Sequence, residues 1–213
     1  MTLVLVLIAS VAGLAIGFTY SKTEAQIEKI EEEATRKALR DVLPEGLSVR
    51  ERETTEEGLP EKYWVATGDG EAAAYAFEVE SRGYSSDIKF MVGVDTTGTV
   101  LGLTIMNQGE TPGLGTRVAE VVSNNYVWTA FSAKGSKAEP WFPKQFEGLN
   151  VLEKMPIDKS RGEWHALDQQ AKKQLRQANS ITAITGATIS TQAVQRGLRE
   201  KVARYVRILR EEG

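Results

Sequence analysis

From Thr2 to Tyr20 the chain carries no charged residue. At 1.5 Å per helical residue this segment reaches most of the way across a bilayer core, which predicts a transmembrane helix. A cleaved signal peptide would want a basic leading region and a small-x-small cleavage site; Met1 and Thr2 bring no positive charge, so an anchor is the stronger reading. Gly13 and Gly17, with Ala9 one turn before, form a small-residue stripe that lets membrane helices approach closely, although chance in a Gly/Ala-rich segment accounts for it equally well. Lys22 and Lys29 are mixed with Glu24, Glu28 and the Glu31–Glu33 run, so charge does not decide sidedness.

Beyond the apolar segment, Ile27, Ile30, Ala34, Ala38 and Val42 share one helical face, and Pro44 with Gly46 ends it, which predicts an amphipathic stalk helix over Thr23–Leu43. Glu45–Glu61 is polar and reads as a connector, with Thr54–Gly58 unpacked. Strand signals begin at Tyr63 and continue through Ala73–Glu80. Ile88–Val94 and Val100–Met106, joined by Asp95-Thr96-Thr97-Gly98, predict a hairpin. A short helix is expected near Thr116–Ser123, an irregular stretch over Trp141–Phe146, and a helix over Ala166–Ala178. Val194, Leu198, Val202, Val206 and Leu209 recur at nearly four-residue spacing and predict a final helix over Ser190–Arg210. Strands flanked by helices without regular alternation predict an α+β fold with an antiparallel sheet. The chain divides accordingly into a transmembrane helix (1–20), a stalk helix and connector (21–60), and one folded domain (61–213).

Composition narrows the chemistry. The 213 residues contain no cysteine, which excludes disulfides, thiolate metal sites, cysteine-held iron–sulfur clusters and thiol nucleophiles; electron chemistry here needs an organic cofactor. The single histidine, His165, lies in a polar stretch and supports neither a dedicated metal site nor a hydrolytic triad, so it reads as an ordinary surface residue. No general base or nucleophile stands out, and no catalytic or metal-ligating residue is assigned. A net charge of −3 with interspersed signs gives no basic face for nucleic acid.

Two loops concentrate small residues where ordinary structure has little use for them. Thr185-Gly186-Ala187-Thr188 follows the apolar Ile181–Ile184 and precedes the last helix, so Thr188 falls at or near a helix N-terminus, where free amides and the helix dipole suit a phosphate. Read on the residues alone, a helix cap with a turn glycine explains this loop better. Glu110-Thr111-Pro112-Gly113-Leu114-Gly115 leaves the hairpin as a stiff turn with Leu114 outward and Glu110 beside it, a shape that suits the face and edge of a heterocycle. A plain strand-to-helix turn again explains it on its own.

Taken jointly, the two loops resemble the FMN-binding domain family of the Rnf and Na⁺-translocating NADH:quinone reductase complexes, most nearly the G subunits of Rnf. The resemblance covers almost the whole chain. In order it comprises the single N-terminal membrane helix, the acidic helix ending in Val42-Leu43-Pro44, Gly83-Tyr84, Gly109–Gly115, Trp141-Phe142-x-x-Gln145-Phe146, and Ala183–Thr188. It implies that FMN is esterified through its phosphate to Thr188, with Thr185, Gly186 and Ala187 holding the phosphate end and serving an ApbE-type, Mg²⁺-dependent flavin transferase that uses FAD. It further implies that Glu110, Thr111, Pro112, Gly113, Leu114 and Gly115 pack against the flavin, with Tyr84 and Gln145 as neighbours. A covalent tether retains a cofactor equally in every redox state, and the protein supplies position and electrostatics. The implied role is an electron relay, with no net reaction of its own, among the other Rnf-type membrane subunits. The assembled complex would couple electron transfer between ferredoxin and NAD⁺ to Na⁺ or H⁺ transport, and the soluble domain would lie outside the cytoplasmic membrane. One uncharged membrane helix makes no ion path, so transport falls to partners. Thr182 stands where the family often has Asp, and Ser85-Ser86 where it often has two glycines. The C subunit of the quinone reductase shares both loops, and a flavin-free, membrane-tethered assembly module is the rival of a different class.

Overall fold

The computed structural model describes residues 2–68, 70–121 and 140–211. The chain forms two compact units, Met1–Lys37 and Ala38–Gly213. The first unit consists of helix α1 (Thr2–Val42) up to Lys37. Its side chains from Leu3 to Phe18 lie exposed, and the helix is long and apolar enough to cross a membrane. No break separates the predicted membrane and stalk segments, because nothing between Tyr20 and Thr23 disfavours helix.

The second unit is built on a five-stranded antiparallel sheet in sequence order, β1 (Ser48–Glu53), β2 (Lys62–Gly68), β3 (Glu71–Arg82), β4 (Asp87–Asp95) and β5 (Val100–Gln108). The predicted β4–β5 hairpin forms as expected. Asp95 Oδ1 accepts from the Thr97 and Thr99 amides at 2.8 Å each, and Gly98 takes a positive φ of 88° to close the turn.

Alternation along the central strands gives the sheet two buried faces. On one face Phe77, Val92 and Leu103 align across β3, β4 and β5 and join the main core. The other face carries Trp64, Ala76, Gly93 and Gly102 in one row across β2 to β5. The two glycines leave a trough filled by the last turn of α1: a Cβ on Gly102 would stand 2.8 Å from Val42 Cα, and one on Gly93 would overlap the Val42 carbonyl oxygen. Ala38, Val42 and Leu43 are thereby buried with Trp64, Ala66, Ala74, Ala76 and Met91.

The connector reading of Glu45–Glu61 needs correction. Residues Ser48–Glu53 form β1, paired with β2 along its length and exposed on both faces. Its Arg-Glu-Arg-Glu run carries no apolar alternation because it is an edge strand held by backbone pairing. The following loop is packed as well: a Cβ on Gly58 would meet Ile208 Cδ1 at 2.9 Å.

The main core is closed by helices. Trp141–Lys144 forms α2, one turn rather than the irregular stretch expected; Pro143 is tolerated because first-turn amides need no helical acceptor, and Trp141, Phe142 and Pro143 are buried. The helix expected at Thr116–Ser123 is a 3₁₀ segment, Gly115–Ala119, and Ser123 lies outside the described residues. A two-residue parallel pair, β6 (Ile157–Asp158) with β7 (Ile181–Thr182), brackets α3 (Gln169–Gln177). The last helix runs as α4 (Thr188–Arg196), a π-helical stretch (Gly197–Val202) and α5 (Ala203–Glu211). Gly197 lets it settle on the sheet, since a Cβ there would stand 2.8 Å from the Phe90 ring.

Candidate functional site

β5 delivers the chain to Glu110, whose amide donates to Gln108 Oε1 at 2.8 Å. The Glu110 side chain turns inward and is only 4% exposed. Its Oε1 accepts from the Ser85 and Ser86 amides at 3.0 and 3.1 Å, and its Oε2 accepts from Ser190 Oγ at 2.5 Å. One carboxylate thus joins the turn after β3, the loop after β5 and the first turn of α4. Burial alone would raise its pKa, but the Ser190 hydroxyl and the Ser86, Ser85 and Tyr84 amides outweigh burial and hold it below the usual carboxylate value.

This carboxylate explains two of the motif glycines. A Cβ on Gly115 would overlap Glu110 Oε2 and stand 2.6 Å from Ser190 Oγ, and one on Gly83 would stand 2.5 Å from Glu110 Oε1. Gly113 meets a different need, a φ of 76° in the turn where its amide donates to Thr116 Oγ1.

A second brace ties the same loops together. Arg117, in the 3₁₀ segment, grips Glu163 with two 2.7 Å hydrogen bonds and reaches Glu120 at 2.9 Å. Glu163 Oε1 also accepts the Thr185 amide at 2.9 Å. Chiefly through Arg117, Glu163 is pushed down to about 2, and the same contact raises Arg117 further above its ordinary value. His165 Nδ1 lies 3.6 Å from Glu163 Oε2, and its ring centroid is 4.8 Å from that of Trp141.

The motif loop itself turns at Gly186, with a φ of 77°. Thr191 Oγ1 fixes it from within, accepting the Ile184 amide at 3.1 Å and donating to the Ala187 carbonyl at 3.2 Å. Ala187 is the N-cap of α4 and offers no side-chain cap, so Thr188 is the first helical residue at an uncapped N-terminus. Among the described residues Thr188 Oγ1 enters no side-chain hydrogen bond, and the residue is partly exposed.

Between the loops lies a cavity of about 440 Å³, lined by Tyr84, Glu110, Thr111, Leu114, Gly115 and the run Gly186–Ser190. Its size falls within the range of about 300–1,000 Å³ common for small-molecule and cofactor sites. Eight of the twelve residues expected at the site meet here: Tyr84, Glu110, Thr111, Leu114, Gly115, Gly186, Ala187 and Thr188. Pro112 and Gly113 shape the turn behind Leu114, and Thr185 faces Glu163. Gln145 lies apart from the cavity, fully buried, its Oε1 accepting from the Thr182 amide and hydroxyl at 2.8 and 3.2 Å. Its contribution is to the β7 end that launches the loop. Thr182 also accepts the Trp164 amide at 3.1 Å, so its hydroxyl is used in both directions.

Residues 83–203, more than half the chain, match the family model described as the FMN-binding domain. The chain belongs to the FMN-binding domain family. The G subunit of the Na⁺-translocating ferredoxin:NAD⁺ oxidoreductase complex from Acetobacterium woodii is 25% identical over 216 residues, covering 95% of this chain and 89% of that protein. The G subunit of the ion-translocating oxidoreductase complex from Methanosarcina acetivorans is 26% identical over 204 residues, covering 93% and 89%. The crystal structure of the C subunit of the Na⁺-translocating NADH-quinone reductase from Parabacteroides distasonis superposes with a TM-score of 0.54 at 18% identity, covering 87% of this chain and 96% of that one. That likeness bears out the α+β architecture of an FMN-binding domain.

Two contributors to the site escaped sequence reading, the bond of Ser190 to Glu110 and the pairing of Glu163 with Arg117, while Ser85–Ser86, noted in the sequence, contributes through its amides. Each acts across a long separation, 80 residues for Ser190 to Glu110 and 46 for Arg117 to Glu163, and no local spacing announces such a partner.

Proposed function

We propose that this protein is the flavin-bearing electron relay of an Rnf-type membrane complex, with FMN joined through its phosphate to Thr188. The observation that carries the reading is the state of the hydroxyls around the cavity. The Thr185 hydroxyl, like its amide, is bonded to Glu163, Ser190 is locked on Glu110, and Thr191 is buried and bonded on both sides. Thr188 alone of the four combines partial exposure, a place in the cavity wall and an oxygen that no described partner occupies.

The surroundings fit the group. The uncapped first turn of α4 suits the phosphate, Gly186 and Ala187 leave room for it, and Tyr84, Leu114 and Ile189, all well exposed, offer apolar surface to a ring. When bound, FMN supplies the reversible electron uptake that this cysteine-free chain lacks. The chain's own part is to fix the Thr188 hydroxyl at the helix end, brace both loops with Glu110 and Glu163, and present the apolar rim.

The Rnf assignment draws on the two relatives of the G type that align over almost the full chain. In that setting electrons pass between ferredoxin and NAD⁺ through partner subunits, which also carry the coupled Na⁺ or H⁺. The apolar span in α1 anchors the protein in the cytoplasmic membrane, with the folded domain on the outer side, and a flavin transferase of the ApbE type attaches the FMN from FAD.

The test is co-expression of the full chain with such a transferase, followed by intact mass and in-gel flavin fluorescence for wild type and Thr188→Val. An FMN-sized increment in wild type and none in the variant is expected. A colourless, unmodified wild type would sink the reading and favour the flavin-free assembly module.

A further inference from the structure

We infer that Glu110 is a buried fixed anion that sets the reduction potential of the flavin in this cavity, beyond its part in holding the loops. The inference rests on the FMN reading above.

Three facts carry it. Glu110 lines the cavity while being only 4% exposed, so water screens it poorly. Every described contact to its two oxygens comes from a donor, the backbone amides of the turn after β3 and the Ser190 hydroxyl, which is the pattern of an ionised carboxylate. Among the described residues no Lys, Arg or His forms an ion pair with it, although the Arg117 guanidinium lies in the same loop region and is spent on Glu163 and Glu120. Among the described residues the anion is therefore solvated by dipoles and not neutralised by a cation.

A loop brace does not need a charge. Gln would fill the same space and accept the same amide hydrogen bonds, and a neutral brace would avoid the desolvation cost of a buried anion. The charge has an electrostatic consequence at the cavity instead. In a titration with dithionite at neutral pH, the flavin takes two electrons from the reductant and one proton from solvent, a net gain of one negative charge. A fixed anion in the wall opposes that gain, so Glu110 lowers the midpoint potential.

The experiment is a redox titration of the flavinylated full-length protein in detergent, read by flavin absorbance, for wild type, Glu110→Gln, Glu110→Asp and Ser190→Ala. For Glu110→Gln the ratio of reduced to oxidised flavin at fixed potential should rise about tenfold or more, which for a two-electron couple is about 30 mV upward. Glu110→Asp keeps the charge and should stay close to wild type. Ser190→Ala keeps the charge but removes its hydroxyl donor, so its potential should fall; this variant decides the matter if Glu110→Gln does not fold or load. A midpoint unchanged or lowered in Glu110→Gln, or unchanged or raised in Ser190→Ala, overturns the inference. Absence of covalent flavin in wild type is a different result, and it removes the FMN reading itself.

Discussion

Glu163 gathers the Arg117 fork, the Thr185 amide and the neighbouring His165 on one side chain that is 11% exposed. Its carboxyl is ordinary, near 4.5, in the unfolded chain and about 2 in the folded one. A depressed folded value means stabilisation that is fully present above about 4.5 and lost as pH falls toward 2, worth up to roughly 3 kcal/mol. Urea unfolding at pH 7 should show Glu163→Gln less stable than wild type, and the gap should narrow by about half at pH 3 and close only as pH falls through about 2; a gap independent of pH would refute the pairing. At Gly115 the constraint is steric. Gly115→Ala places a methyl group on the Glu110–Ser190 contact, and a cost of about 2–3 kcal/mol with loss of flavin loading is expected from thermal unfolding and intact mass.

At the scale of elements, the Gly93–Gly102 pair is what allows a helix end to lie directly on a sheet. Gly93→Ala should cost about 3 kcal/mol in urea unfolding, because the added methyl meets the Val42 backbone carbonyl and not a movable side chain. The hairpin and the final helix were legible beforehand because period-2 and near-period-4 apolar repeats are local signals. β1 was hidden because both its faces are wet, and α2 because a proline and two aromatics in four residues mimic a loop. The same division holds at the site. Both glycine-rich loops stand out in the sequence, but the reason for Gly83 and Gly115 lies in a carboxylate that only the fold brings between them. Gln145, expected beside the cofactor, is drawn into the core by the Thr182 amide.

For the molecule as a whole, the second unit begins at Ala38, inside a helix, rather than at the predicted strand region. Ala38, Val42 and Leu43 cover the Trp64–Met91 face of the sheet, and burying two large aliphatic side chains contributes about 3–6 kcal/mol. A chain starting at Ala38 should therefore unfold in urea like the folded unit of the full protein, whereas one starting at Pro44 should lose several kcal/mol or aggregate. The truncation at Ala38 should also leave the membrane fraction, since it lacks the apolar span of α1.

The Glu110 and Glu163 braces draw every donor and acceptor from the polypeptide, and this bears on the order in which the protein is made. On the FMN reading proposed above, a recess braced by the chain's own contacts would be modified after folding, and a transferase would meet a finished surface and not a flexible tail. A synthetic peptide spanning Ala183–Thr191 should then be a poor acceptor compared with the folded protein in a timed labelling assay. On the same reading, damage to either brace would show up in the cell as a shortfall of coloured protein, even where the threonine itself is intact.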